Sequence, residues 1–350
     1  MKGGVVVVTG ANAGVGRAAA RAFAEAGAAC VVLLARDGAR LADTAAEIEQ
    51  RGARALPIEV DVADAAALEQ AAERIESEAG PIAVWVNNAM ATIFAPIQEI
   101  TPEEFARVTN VTYLGSVYGT MSALKRMRQR NAGAIVQVGS ALAHRSIPLQ
   151  SAYCGAKHAL RGFLASIRSE LIHDKSAIHI TMVELPGVNT PQFEWCRSKV
   201  ARHPQPVGTL YQPEVAAQAI VWAATHRRRE LCVGLPTVLA VMSNKLVPGL
   251  LDRVMARRAY GQQFMDEPIA PDRPDNLFHP VPSPYRARGR FDARAHCASP
   301  QLWLSLHRGL VGSALFAAGL AALLRSRRSP RGARARERDA GEGRWHGGPD

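Results

Sequence analysis

VVVVTGANAGVGRAAARAFAEAG, residues 5–27, decides the fold. Four valines in a row are too apolar for a strand with one wetted face and read as a strand buried on both sides. The alanine-rich stretch after them has helical spacing and closes on Gly27, a residue suited to the end of a helix. Between the two, Gly10, Gly14 and Gly16 remove side chains where the backbone turns sharply and where a phosphate must come close. The start of the helix then offers free N–H groups and the positive end of its dipole to an anion. Thr9, Gly10, Asn12, Gly14, Val15 and Gly16 are therefore candidate ligands of a dinucleotide.

Outward from this stretch the alternation continues. CVVLLA (30–35), ALPIEV (55–60), IAVWV (82–86), AIVQVG (134–139), HITMVEL (179–185) and ELCVGL (230–235) read as six further buried strands. Helical segments such as DAAALEQAAERIESEAG (64–80) lie between them. This pattern predicts an α/β protein: a doubly wound parallel sheet of about seven strands, the Rossmann arrangement, over residues 1–240. Such sheets place ligands at the carboxyl ends of their strands. Beyond residue 240 the rhythm changes. VLAVMSNKLVPGLLDRVMARRAY (238–260) predicts one or two helices broken at Pro248, and the proline- and charge-rich segment 266–291 predicts an extended arm. Residues 241–300 thus form a C-terminal helical and extended region, followed by an apolar helix over 301–324 and a basic disordered tail over 325–350.

The 350 residues carry a net charge of +11, much of it in RSRRSPRGARARER (325–338). A solvated arginine-rich end is the simpler reading of that run, and nucleic acid is not an expected partner. Five scattered cysteines without a C-x-x-C pair speak against a disulfide framework or a zinc site and for a reducing compartment. No metal is expected. The amino terminus enters a strand at once, so no signal peptide and a cytoplasmic location are expected. GLVGSALFAAGLAALL (309–324) is uncharged, but its sixteen residues fall short of the roughly 20 that span a bilayer. A span would also send the following arginines outward, against the positive-inside tendency. Any membrane contact through 302–324 is expected from a helix lying on the surface.

The spacing T-G-x-x-x-G-x-G of residues 9–16 differs from the common G-x-G-x-x-G and resembles the short-chain dehydrogenase/reductase family, in its ordinary, non-extended branch. The second strand ends LLARD. An acid there would bond the ribose 2′-OH of NAD, but Ala35 stands in its place and Arg36 follows. A guanidinium suits a 2′-phosphate, so NADP(H) is favoured over NAD(H), with Asp37 offsetting part of the charge. The resemblance makes Asp61 and Val62 the adenine-binding pair. It makes NNAM (87–90), with Asn88 and Ala89, the counterpart of the family's N-N-A-G turn. Met90 replaces that glycine and crowds the nicotinamide side.

SALAHRSIPLQSAYCGAKHAL (140–160) carries the chemistry. Tyr153 and Lys157 lie four apart on a helical stretch and share a face. Carbonyl reduction needs a proton on oxygen, and a phenol near its free pKa of about 10 exchanges one poorly at neutral pH. A neighbouring ammonium is expected to lower that pKa. Ser140 follows a strand, where its hydroxyl can bond the substrate oxygen as charge develops. The set matches the family's Ser…Tyr-x-x-x-Lys signature. The resemblance then implies Tyr153 as general acid/base, Lys157 also holding the nicotinamide ribose, and Asn110 keeping a proton-relay water. In LPGVNTPQF (185–193), Pro186, Gly187 and Thr190 resemble the P-G-x-x-x-T element, with the threonine one place early. Residues 194–213 read as a substrate lid, with Phe193, Trp195 and Tyr211 as candidate pocket aromatics. His144 reads as structural or as pocket wall.

These residues predict a short-chain NADP(H)-dependent alcohol dehydrogenase or carbonyl reductase acting on a hydrophobic small molecule. The alternative is a catalytically inactive dinucleotide-binding redox sensor or scaffold, for which only Met90 speaks. Family members pair through long helices, so the resemblance also implies a homo-oligomer.

Overall fold

The computed structural model describes residues 3–328 apart from 271, 283 and 284. From residue 329 on, the basic tail expected over 325–350 lies outside the described residues. Seven strands pair in parallel: Val5–Thr9 (β1), Cys30–Ala35 (β2), Arg54–Glu59 (β3), Ile82–Asn87 (β4), Ala134–Val138 (β5), His179–Glu184 (β6) and Glu230–Cys232 (β7). Their order is β7–β6–β5–β4–β1–β2–β3, so the winding reverses between β1 and β4. A crevice opens at the carboxyl ends of the strands on either side of such a reversal. All seven strands fall where the apolar runs put them. Valines 6 to 8, Leu33, Leu34 and Trp85 are fully buried, as a sheet covered on both faces requires.

The covering helices are Gly14–Glu25 (α1), Gly38–Glu49 (α2), Ala65–Glu78 (α3), Pro102–Thr109 (α4), Gly115–Arg130 (α5), Ser151–His173 (α6) and Pro213–Thr225 (α7). α1 packs against α2 and α7, α3 against α5, and α4 against α6. Their starts follow capping chemistry. The Asp37 side chain accepts the Arg40 N–H at α2, Asp64 accepts that of Ala67 at α3, and Thr101 with Glu104 forms a reciprocal box at α4. α4 runs into α5 through a wide π turn, Asn110–Leu114.

Beyond the sheet, Leu235–Leu246 (α8) and Pro248–Val254 (α9) meet at Val247, the break expected at Pro248. Phe264–Pro268 pairs antiparallel with Arg202–Pro204. The described residues of the arm show no helix or strand until a short turn at Asp292–Arg294, and Ala295–His296 pairs with Leu210–Tyr211. One compact unit extends to Leu302 and a second begins at Trp303. The helices Pro300–Leu306 (α10) and Arg308–Arg328 (α11) follow. No single described helix is long and apolar enough to cross a membrane; only the bent pair α10–α11 meets that length and composition together. All five cysteines are free thiols.

Candidate active site

The glycine turn is braced from behind. Thr9 Oγ1 accepts the N–H groups of Asn88 (2.9 Å) and Ala89 (3.0 Å), and Asn88 Nδ2 donates to Thr9 O (2.9 Å). Gly16 packs so tightly that a Cβ there would lie 2.1 Å from the Gly10 carbonyl oxygen. Thr9 and Gly16 therefore shape the turn from behind, while Gly10, Asn12, Gly14 and Val15 line the crevice. Gly10 and Gly14 have φ of +65° and +55°, which side chains disfavour. Thr190 comes against Gly14, its methyl 3.2 Å from where a Cβ would sit.

At the second strand's end, Arg36 stands where expected but is not bare. Its guanidinium donates to the carbonyls of Asn276 (2.7 Å) and Phe278 (2.9 Å) and more weakly to Leu277 (3.4 Å). Burial, and the nearby Arg107, lower its pKa. Three of its five donors are thus engaged, leaving two for a ligand. Asp37 is occupied in capping α2 and pairing with Arg40, at 2.6 Å. Asp61 and Val62 line the same end of the crevice. Arg107 bridges from the Asp61 carboxylate (2.6 Å) to the Leu277 carbonyl (3.0 Å).

At the other end, Ser140 follows β5; its Oγ accepts the Leu142 N–H (3.1 Å) and lies close enough to Tyr153 to pull the phenol's pKa down. Tyr153 and Lys157 occupy the first two turns of α6, both buried. Lys157 Nζ donates to Val138 O at 2.8 Å and lies 5.6 Å from the centre of the Tyr153 ring. The expected electrostatics are overturned here. Burial raises the Tyr153 pKa above the free phenol value, against the pull of the Ser140 hydroxyl. Burial also brings Lys157 down to about 8, opposed by the Glu184 charge. A low-dielectric site penalises every charged form.

Glu184 was missed in the sequence, where it read as one residue of an apolar strand. It is fully buried at the end of β6; Oε2 accepts the Ser140 N–H (2.7 Å) and Oε1 is 2.9 Å from His144 Nε2. The signal was available: a carboxylate inside a buried strand needs a partner, and His144 was a histidine without one. His144 does not line the crevice.

Asn110 needs correction. It is exposed, whereas Val111 lines the crevice and Thr112 is wholly buried. The π turn points residue 110 to solvent and residue 112 inward, where its hydroxyl both accepts from and donates to the Ala91 main chain (3.0 and 2.9 Å). Asn88, Ala89, Met90, Pro186 and Gly187 line the crevice, as do Phe193 and Trp195. Tyr211 instead packs against Gly234.

The crevice measures about 500 Å³ and runs unbroken from Ala35 and Arg36 past the glycine turn to Tyr153. A nicotinamide dinucleotide fits the residues present: a backbone cradle that a Cβ would obstruct, donors left on Arg36, and a phenol with an ammonium at the far end.

Over residues 4–200 the chain matches the family described as short chain dehydrogenase. It is 33% identical over 280 residues to the uncharacterized oxidoreductase YxnA of Bacillus subtilis (strain 168), covering 79% of this chain and 78% of that one. Among solved structures, a short-chain dehydrogenase from Streptomyces avermitilis is 27% identical with a TM-score of 0.62, over 74% of this chain and 96% of that chain. An alcohol dehydrogenase from the archaeon Thermococcus sibiricus, complexed with 5-hydroxy-NADP, is 26% identical with a TM-score of 0.57, over 66% and 96%.

Proposed function

Because this chain belongs to the short-chain dehydrogenase family, we propose that it is an NADP(H)-dependent oxidoreductase interconverting an apolar ketone or aldehyde and its alcohol. The observation that carries this reading is the convergence of Ser140, Tyr153 and Lys157 on one end of the crevice whose other end is built by Arg36 and the glycine turn. Gly10, Asn12, Gly14, Val15, Asp61, Val62, Asn88, Ala89, Pro186, Gly187 and Thr190 would hold the dinucleotide between them, braced by Thr9 and Gly16. The 5-hydroxy-NADP of the Thermococcus sibiricus enzyme supports the choice of NADP(H).

When bound, the nicotinamide supplies or accepts the hydride. In reduction, Tyr153 donates its proton to the carbonyl oxygen while the Ser140 hydroxyl hydrogen-bonds the same oxygen. The raised Tyr153 pKa keeps the phenol protonated at neutral pH, which suits an acid more than a base. Lys157 stabilises the phenolate that remains. Phe94, Leu142, Ile147, Phe193, Leu251 and Met255 line the crevice and favour an apolar substrate.

The test is NADPH consumption against a panel of bulky apolar ketones, with Tyr153→Phe beside the unaltered protein. The variant should bind dinucleotide normally and lose turnover by about 10²–10⁴-fold. Turnover equal to that of the unaltered protein would remove Tyr153 from the chemistry. Dinucleotide binding with no turnover of any ketone would favour the sensor reading.

A further inference from the structure

The hairpin of α8 and α9 has three sides. One lines the crevice with Pro236, Thr237, Ala240, Ser243, Leu251 and Met255. A second is tied to the loop after Ser140: Arg145 donates to Asn244 Oδ1 (3.1 Å) and Asp252 Oδ1 (2.5 Å), and Asn244 Nδ2 donates to His144 O (2.8 Å).

The third side faces water and is apolar. Leu235, Leu239, Met242 and Leu246 recur along one helical stripe. With Val247 and Leu250 they are 44–75% exposed, and Leu246 at the tip is the most exposed. Six large apolar side chains in one hairpin exceed the single exposures normal for a protein surface. The surrounding charge has one sign. Residues 235–262 contain Lys245, Arg253, Arg257 and Arg258, all exposed, and a single acid, Asp252, which Arg145 holds.

We propose that the α8–α9 hairpin docks on an anionic lipid surface and holds the mouth of the crevice against it. The leucine stripe would enter the boundary between headgroups and acyl chains while the long cationic side chains reach the phosphates. A second copy of the chain is a poorer occupant. Two-fold pairing through this face would bring two cationic rims together. The inference rests on the reading of the crevice as the site of an apolar substrate, since it gives that substrate a route from lipid. Lipid binding is nevertheless measured without turnover.

The test uses the full chain with vesicles of phosphatidylcholine, alone or with about one-third phosphatidylglycerol. Sedimentation should show binding at least about tenfold stronger to the anionic vesicles. Leu246→Glu with Leu250→Glu should reduce that binding at least about tenfold and leave NADPH turnover of a water-soluble ketone unchanged. Hydrogen exchange in the unaltered protein should slow over α8 and α9 when anionic vesicles are added. No vesicle binding, undiminished binding of the double variant, or protection confined to α11 would each overturn the proposal. So would a double variant that splits an oligomer yet still binds vesicles, because the face would then join copies of the chain. Vesicle binding as expected with no ketone turned over would count against the catalytic reading and leave the docking intact.

Discussion

The crevice has a floor and a roof, and the two are held by different rules. The floor is the row of strand ends from β2 to β6, positioned by parallel main-chain pairing and by apolar runs that no wetted surface could accept. The roof is the arm's described residues, of which Asn276, Pro280 and Tyr285 line the crevice. Arginines from elsewhere fasten it by donating to its main-chain carbonyls: Arg36 to Asn276 and Phe278, Arg107 to Leu277, Arg17 to Tyr285. The arm answers with its own main chain and arginines. Arg273 donates to Glu194 O, and Arg286 pairs with the Glu194 carboxylate at 2.6 Å. Leu277, fully buried, anchors it together with the buried Val281 and Phe291. In the floor, a residue's type at a strand end announces its role. In the roof the information sits in distant guanidinium groups, because a carbonyl acceptor is the same in every residue.

Arg36 belongs to both structures, and replacing it separates them with the largest effect. If Arg36 grips the 2′-phosphate as proposed, Arg36→Asp should lower the ratio of kcat/KM for NADPH over NADH by about 10- to 100-fold, by replacing a charge-assisted contact with repulsion. Steady-state kinetics with both cofactors checks this. A ratio that stays constant while both constants fall would make Arg36 only a fastener for the arm, and the 2′-phosphate grip would lie elsewhere.

That division explains what could be read in advance. Each of the seven strands was legible because a sheet covered on both faces leaves a run such as VVVV or CVVLLA no other home. Tyr153 and Lys157 were legible from spacing, because one helical turn fixes which side chains meet, and Ser140 from its place after a strand and the signature it resembles. The arm was legible only as extended, since its sequence does not show which of its main-chain carbonyls Arg17, Arg36 and Arg107 reach. Glu184 and His144 are forty residues apart, and each made sense only beside the other. The electrostatics of Tyr153 failed for a further reason: proximity to Lys157 is visible in a sequence, whereas the depth of burial is not.

Glu184 tests the floor at the next level of effect. Its charge favours the protonated forms of both Tyr153 and Lys157. Glu184→Gln keeps an oxygen for the Ser140 N–H and removes that charge, so both pKa values should fall. On the proposed chemistry alcohol oxidation would need the phenolate and rise with pH, and its midpoint should move down by about one unit or less. Reduction needs the protonated phenol and should begin to fail at correspondingly lower pH. His144, Glu230, Cys232 and Arg168 also face Glu184 and remain in the variant. A pH–rate profile that does not move would reduce Glu184 to a brace for the serine turn.

The smallest expected effect lies where the resemblance and the structure disagree. Asn110→Ala should leave kcat/KM within about twofold, because exposed substitutions away from the chemistry rarely matter. Thr112→Val should instead lower stability by about 1–3 kcal/mol, measured by denaturant unfolding, because it leaves the buried Ala91 N–H and C=O without their partner. The contrast follows from the π turn, which rotates one residue of the pair outward and the other in. A tenfold loss of turnover in Asn110→Ala would mean that this turn rewinds during the reaction, and the floor would then be no more rigid than the roof.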